Sequence, residues 1–133
     1  MTIDHTSFYV PEDKFQDCLN FYLEALKHLG YEIRYQFGPY VAGLGSTKED
    51  LEDYKRADFW VFGVKSAPEQ PAHIAFGAPD RAAVDAFHAA ALQAGGKDNG
   101  APGLRSMYHA NYYGAFVTDP AGNNIETVCH RAP

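Results

Sequence analysis

Cysteine is scarce in this chain. Cys18 and Cys129 are the two in 133 residues, too few and too far apart for a disulfide framework or a paired-cysteine zinc site. A reducing compartment, the cytoplasm, is therefore expected. Cations are the minority charge: 11 Lys and Arg face 17 Asp and Glu, a formal net charge of −6. With no run of Lys or Arg, the chain lacks the electrostatic footprint that nucleic acid or an anionic membrane requires. Long apolar runs are missing too, since none approaches the roughly 18 residues of a membrane span. The opening Met1-Thr2-Ile3-Asp4-His5 has neither the basic nor the apolar part of a secretory leader. Core material is plentiful: 46% of residues are hydrophobic and 14% aromatic, against 21% charged. That suffices for one compact domain without staples, and leaves functions that use a small molecule or a protein partner.

Alternation over Ile3 to Val10 predicts a strand with His5, Ser7 and Tyr9 on one face. Beyond Pro11, the residues Phe15, Cys18, Leu19, Tyr22, Leu26 and Leu29 recur every three or four positions up to Gly30, the pattern of an amphipathic helix with a glycine stop. Tyr31 to Phe37 and Tyr40 to Leu44 read as a hairpin broken by Gly38-Pro39. Ser46 to Arg56, with seven charged residues in eleven, reads as a solvated loop or one exposed helical turn before a strand at Phe59 to Phe62. Ser66 to Pro71 is a connector, and the order then restarts. His73 to Phe76 is a strand, and Asp80 to Ala94 a helix with Val84, Phe87 and Leu92 on its apolar side, stopped by Gly95-Gly96. Asn99 to Gly103 reads as turn, with a short strand near Leu104 and a longer one over Tyr108 to Thr118. The turn Asp119 to Asn124 leads into a last strand, Ile125 to Cys129.

Each half thus has the order βαβββ. His5 and Phe8 recur 68 residues later as His73 and Phe76, while Phe21 and Leu26 recur 66 residues later as Phe87 and Leu92. A duplicated module accounts for both offsets with one change of two residues.

Duplication places polar residues at equivalent strand positions, which is a way to converge ligands at the centre of a curved sheet. His5, His73 and Glu126 are candidates for one metal site. Two imidazoles and a carboxylate suit Fe(II), Mn(II), Zn(II) or Ni(II) and leave positions open for substrate. A histidine repeated in both halves, joined by a Glu inside an apolar strand, is hard to attribute to packing, because a buried unpaired carboxylate costs several kcal/mol.

Asp4-His5, Ala72-His73-Ile74-Ala75-Phe76 and the ending Phe116-Val117-Thr118-Asp119-Pro120-Ala121-Gly122-Asn123-Asn124-Ile125-Glu126 carry a resemblance. Across both halves the chain resembles the vicinal oxygen chelate superfamily of glyoxalases, bleomycin resistance proteins and extradiol dioxygenases. The resemblance implies an α+β fold of two βαβββ modules, about residues 1–66 and 71–130, forming an open, cup-shaped mixed β-sheet with flanking helices. It also implies a divalent metal, a homodimer, and a site built from strands of both modules or of both chains. His5, His73 and Glu126 match three ligand positions. At the fourth, a shift of 68 sets Asp58 opposite Glu126 and a shift of 66 sets Trp60 there, so the chain departs from the glyoxalase pattern towards the dioxygenases' two-His, one-carboxylate set.

His109, beside Tyr108, Tyr112 and Tyr113, is an acid/base candidate together with Glu126. Alternation puts Tyr112 and Tyr113 on opposite faces. Arg105 reads as a solvated arginine able to meet a substrate carboxylate. His28 and His88 read as structural or exposed, His130 and Cys129 as non-ligands and Cys18 as buried on its helix, and Gly43-Leu44-Gly45 and Gly95-Gly96-Lys97 as turns rather than phosphate loops. Two functions remain. One is a metal-dependent lyase, isomerase or dioxygenase that chelates vicinal oxygens. The other is a metal-free binding protein of the bleomycin-resistance type, with Trp60, Tyr40, Phe62 and Tyr112 lining an apolar cavity.

Overall fold

The computed structural model describes residues 3–133. Met1 and Thr2, which open the stretch read for a leader, lie outside the described residues. Two four-stranded mixed sheets follow one another. In the first, β1 (Thr6–Pro11), β4 (Phe59–Val64), β3 (Val41–Ser46) and β2 (Tyr31–Gln36) lie side by side in that order. In the second, the order is β5 (His73–Gly77), β8 (Asn124–Cys129), β7 (Tyr113–Thr118) and β6 (Lys97–Leu104). Helix α1 (Phe15–Ala25) follows β1 and helix α2 (Arg81–Gln93) follows β5, so each module is βαβββ. In each sheet the module's first strand, β1 or β5, runs parallel to its neighbour and the other pairs are antiparallel. The sheets do not close into a barrel.

Strand alternation divides each sheet into two faces. Phe8 and Val10 of β1, Phe59 and Val61 of β4, Phe76 of β5 and Ile125 of β8 point to the helices and are buried with Phe21, Tyr22, Leu26, Val84 and Phe87. Phe59 joins the modules. It meets Phe8, Tyr22 and Phe76 edge-on at 5.2, 4.7 and 5.4 Å between ring centroids, a geometry that adds to simple burial. Trp60, His73 and Glu126 alternate with these core residues and take the opposite faces, whereas the first strand starts at Thr6 rather than Ile3 and His5 lies just before it.

Several local expectations are corrected. The last turn before Gly30 tightens to a 3₁₀ turn, Lys27–Leu29, and Gly30 then takes φ 84°, the left-handed conformation that ends it. Asp80 caps α2 rather than starting it, its Oδ1 accepting from Ala83 N–H at 2.8 Å. Leu92 is 38% exposed while its repeat mate Leu26 is fully buried, so the apolar repeat breaks there. Lys97–Leu104 is one eight-residue strand despite its glycines and proline, because register shifts around Gly100 absorb them. Strand β7 begins only at Tyr113; Tyr108 to Tyr112 form the preceding turn.

Gly43-Leu44-Gly45 is not a turn but the middle of β3. A side chain at Gly43 would strike the Trp60 ring at 2.7 Å, and one at Gly45 would stand 2.0 Å from the Arg56 carbonyl. These glycines let the indole and the loop lie directly on the strand.

Candidate functional site

The turn between β7 and β8 builds one half of the site. Asp119 is 4% exposed. Its carboxylate accepts from the N–H groups of Ala121 and Asn123 at 2.9 and 2.8 Å, from Asn123 Nδ2 at 2.9 Å, and from the buried Tyr22 hydroxyl. Burial, then the Asp119 charge, holds the Tyr22 hydroxyl well above the ordinary tyrosine pKa. Asn123, fixed by these bonds, accepts through Oδ1 from Ala72 N–H at 2.9 Å, and Asn124 N–H donates to the Ala72 carbonyl at 2.9 Å. The start of β5 is thereby fastened to the start of β8. The next residue on β5 is His73 and the third on β8 is Glu126.

The His73 ring stands with Nδ1 3.0 Å from the Asn124 carbonyl and Nε2 3.3 Å from Glu126 Oε2. A carbonyl only accepts, so Nδ1 carries a proton, and Nε2 is the ring nitrogen that faces the carboxylate. Two electron-rich atoms held face to face call for a cation between them, a proton or a metal ion. Ligand atoms about 2.0–2.2 Å from one ion at a tetrahedral angle stand about 3.3–3.6 Å apart. The observed spacing fits, and the Nδ1 bond to a carbonyl is the usual orienting contact of a ligating imidazole.

Glu126 has a side chain 4% exposed. Its other oxygen, Oε1, accepts from the Tyr112 hydroxyl. Burial, then this bond, pushes the Tyr112 hydroxyl up to about 12. Gly114 makes the contact possible, since a Cβ there would crowd both Glu126 Oε1 and the Tyr112 ring at 3.3 Å. Tyr113 turns the other way, donating to Asp85 of α2 at 2.7 Å. The expectation of opposite faces for the two tyrosines therefore agrees with the structure.

His109 lies behind Tyr112. Its Nδ1 accepts from Asn111 N–H at 3.1 Å and its Nε2 is 2.8 Å from His130 Nδ1. Both ring nitrogens are thus engaged away from Glu126. The His109 and His130 rings pack at 5.7 and 5.2 Å from Tyr112. His88 pairs with Asp98 at 2.8 Å, and both cysteines are buried.

The other half lies on module one. His5 is 2.8 Å from Asp4 Oδ1, and its side chain is 61% exposed. The His5 bond holds the Asp4 carboxyl below the ordinary carboxylate range. His5 and His73 both border a cleft of about 410 Å³ between the edge strands β1 and β5. Within one chain, and among the described residues, no three His, Cys, Asp or Glu side chains are grouped as metal ligands. The registers answer the fourth-position question. Ser7 pairs with Trp60 as Ala75 pairs with Glu126, so Trp60 is the counterpart of Glu126. Asp58 is the counterpart of Asn124 and accepts from the Tyr31 hydroxyl at 2.8 Å.

Trp60 sits between Tyr35 and Phe37, nearly parallel to both at 6.1 and 6.0 Å. With Phe37, Tyr54 and Phe62 it lines a cleft of about 480 Å³ that His5 also borders. Tyr40, expected in that lining, instead packs edge-on against Phe15 at 5.9 Å, and Tyr112 belongs to module two. Phe37, Tyr35 and the Asn124 carbonyl were not expected from sequence. The alternation that exposes Trp60 also exposes the first two, whereas no side-chain pattern marks a backbone carbonyl.

Residues 2–127 match the profile of the Glyoxalase/Bleomycin resistance protein/Dioxygenase superfamily. The chain belongs to this superfamily. A glyoxalase/bleomycin resistance protein from Albidiferax ferrireducens shares the fold with a TM-score of 0.76 at 22% identity, over 95% of this chain and 97% of that one. A family enzyme from Burkholderia phytofirmans gives 0.70 at 16% identity, over 98% and 100%. A lactoylglutathione lyase from Agrobacterium tumefaciens gives 0.65 at 17%, over 96% and 92%. No curated protein matches the chain in sequence. No helix of this superfamily member is long and apolar enough to cross a membrane among the described residues.

Proposed function

We propose that the protein is a metal-dependent enzyme of the glyoxalase/dioxygenase type, acting on a small oxygenated organic substrate that binds through two neighbouring oxygens. The observation that carries this reading is the 3.3 Å approach of His73 Nε2 to Glu126 Oε2 with Nδ1 already committed to Asn124. His73 and Glu126 are two ligands, and His5 is the third. Because one chain does not group the three, His5 comes from the module-one face of a second copy in a two-fold homodimer. A bound divalent ion, Zn, Fe, Mn or Ni, would supply Lewis-acid polarisation of the substrate oxygens. Tyr112 holds Oε1 of Glu126, leaving Oε2 to face the ion and the substrate. Glu126 is also the proton acceptor of this reading, and His109 assists through the Tyr112 ring rather than at the substrate.

Mixing the variants His5→Ala and His73→Ala tests the composite site. Neither alone should hold metal. Random reassociation creates heterodimers with one intact site, so about a quarter of the parent's sites should return. A site made within one chain would recover none.

The aromatic cleft around Trp60 supports a second reading, a metal-free binding protein for a bulky apolar ligand. Quenching of Trp60 emission by 1-anilinonaphthalene-8-sulfonate, unaffected by EDTA and undiminished in Glu126→Gln, would favour it over the enzyme.

A further inference from the structure

Arg105 follows β6 and is held as a binding group rather than left in solvent. Its guanidinium lies over the Phe116 ring, 5.5 Å from the centroid, and Nη2 donates to the Ala101 carbonyl at 2.8 Å. Two glycines make its seat: a Cβ at Gly100 would stand 3.3 Å from Nη2, and one at Gly103 would stand 3.1 Å from Nη1. Among the described residues, no carboxylate lies within ion-pair distance of it.

The platform under Arg105 belongs to the face that carries the candidate site. Phe116 pairs directly with Glu126 across β7 and β8, and directly opposed residues share a face. The His73 ring is stacked near Phe116, 6.5 Å between centroids and 23° between planes. One surface therefore runs from a fixed, unpaired guanidinium, over an aromatic ring, to the His73 and Glu126 pair. A guanidinium fork matches the two oxygens of a carboxylate.

We propose that Arg105 recognises an anionic group of the substrate, so that the substrate is a carboxylic acid with vicinal oxygens rather than a neutral dicarbonyl or diol. This rests on the reading of His73 and Glu126 as the reacting centre, but it is tested apart from it. Phenylglyoxylate carries a carboxylate and a ring beside a single carbonyl, so it probes the Arg105 contact alone, and its methyl ester lacks only the charge. Calorimetry should show phenylglyoxylate binding the parent at least about tenfold more tightly than the ester, with that preference lost in Arg105→Gln and partly kept in Arg105→Lys. The Glu126→Gln variant should keep the preference for the acid even where metal no longer binds, which separates failure of the metal reading from failure of this one. Equal binding of acid and ester, no binding of either, or an unchanged preference in a folded Arg105→Gln would overturn the proposal.

Discussion

Removing the Asp119 carboxylate should cost more than any other single polar truncation near the site. In Asp119→Ala four donors lose their acceptor: the N–H groups of Ala121 and Asn123, Asn123 Nδ2 and the Tyr22 hydroxyl. Tyr22 is fully buried and Asn123 is 7% exposed, so water cannot replace the last two bonds. Each stranded buried donor costs about 1–3 kcal/mol. Relief from desolvating the carboxylate offsets part of this, leaving a loss of about 3–5 kcal/mol, or about 10–20 °C in Tm. Tyr22→Phe leaves the carboxylate three donors and should cost about 1–2 kcal/mol. Urea unfolding measures both, and the double variant should be less destabilised than the sum by about 1 kcal/mol or more. The same change frees Asn123 from its grip on Ala72, so divalent-metal affinity should fall about tenfold or more. An Asp119→Ala loss under about 1 kcal/mol, or full additivity with Tyr22→Phe, would refute the claim that this turn holds the site together.

Three further outcomes follow from the packing. Gly45→Ala should lose about 2 kcal/mol or more in urea unfolding, because the new methyl meets a backbone carbonyl that no rotamer change can move. Both cysteines should be silent to a thiol reagent in the native protein and titrate fully in denaturant, with burial, the larger effect, and Asp119 pushing the Cys18 thiol up to about 12; fast native labelling would contradict the buried placement. Burial and the Glu126 bond push the Tyr112 hydroxyl from the ordinary 10 up to about 12. The stability it contributes is therefore complete below pH 10 and lost as pH rises through 12. A 295 nm titration of the parent minus Tyr112→Phe should show this high component.

Much of the fold was legible because the modules repeat the same physical signals: alternating strands, helices with a three-to-four apolar period, and glycine stops. His5 with His73 and Phe8 with Phe76 fixed one offset, and Phe21 with Phe87 the other. Composition misled where context overrode it. Asn99 to Gly103 looks like a turn, yet pairing with β7 extends it into a strand. Gly43 and Gly45 look like loop residues, yet close approach of Trp60 and Arg56 requires them inside β3. The pairing of His73 with Glu126 agreed with their shared motif positions. Which residue opposes Glu126 needed the strand register, since the two offsets differ by two residues. The bond orienting His73 comes from a backbone carbonyl, which leaves no mark in sequence.

Metal content of protein purified without an affinity tag, dialysed against a weak chelator and compared with His5→Ala, His73→Ala and Glu126→Ala, tests the central claim most directly. Near-stoichiometric divalent metal in the parent and its loss in all three variants, each still folded, is the expected result. A parent that stays metal-free after incubation with Zn, Fe(II), Mn and Ni, or variants that keep the parent's metal, would contradict it.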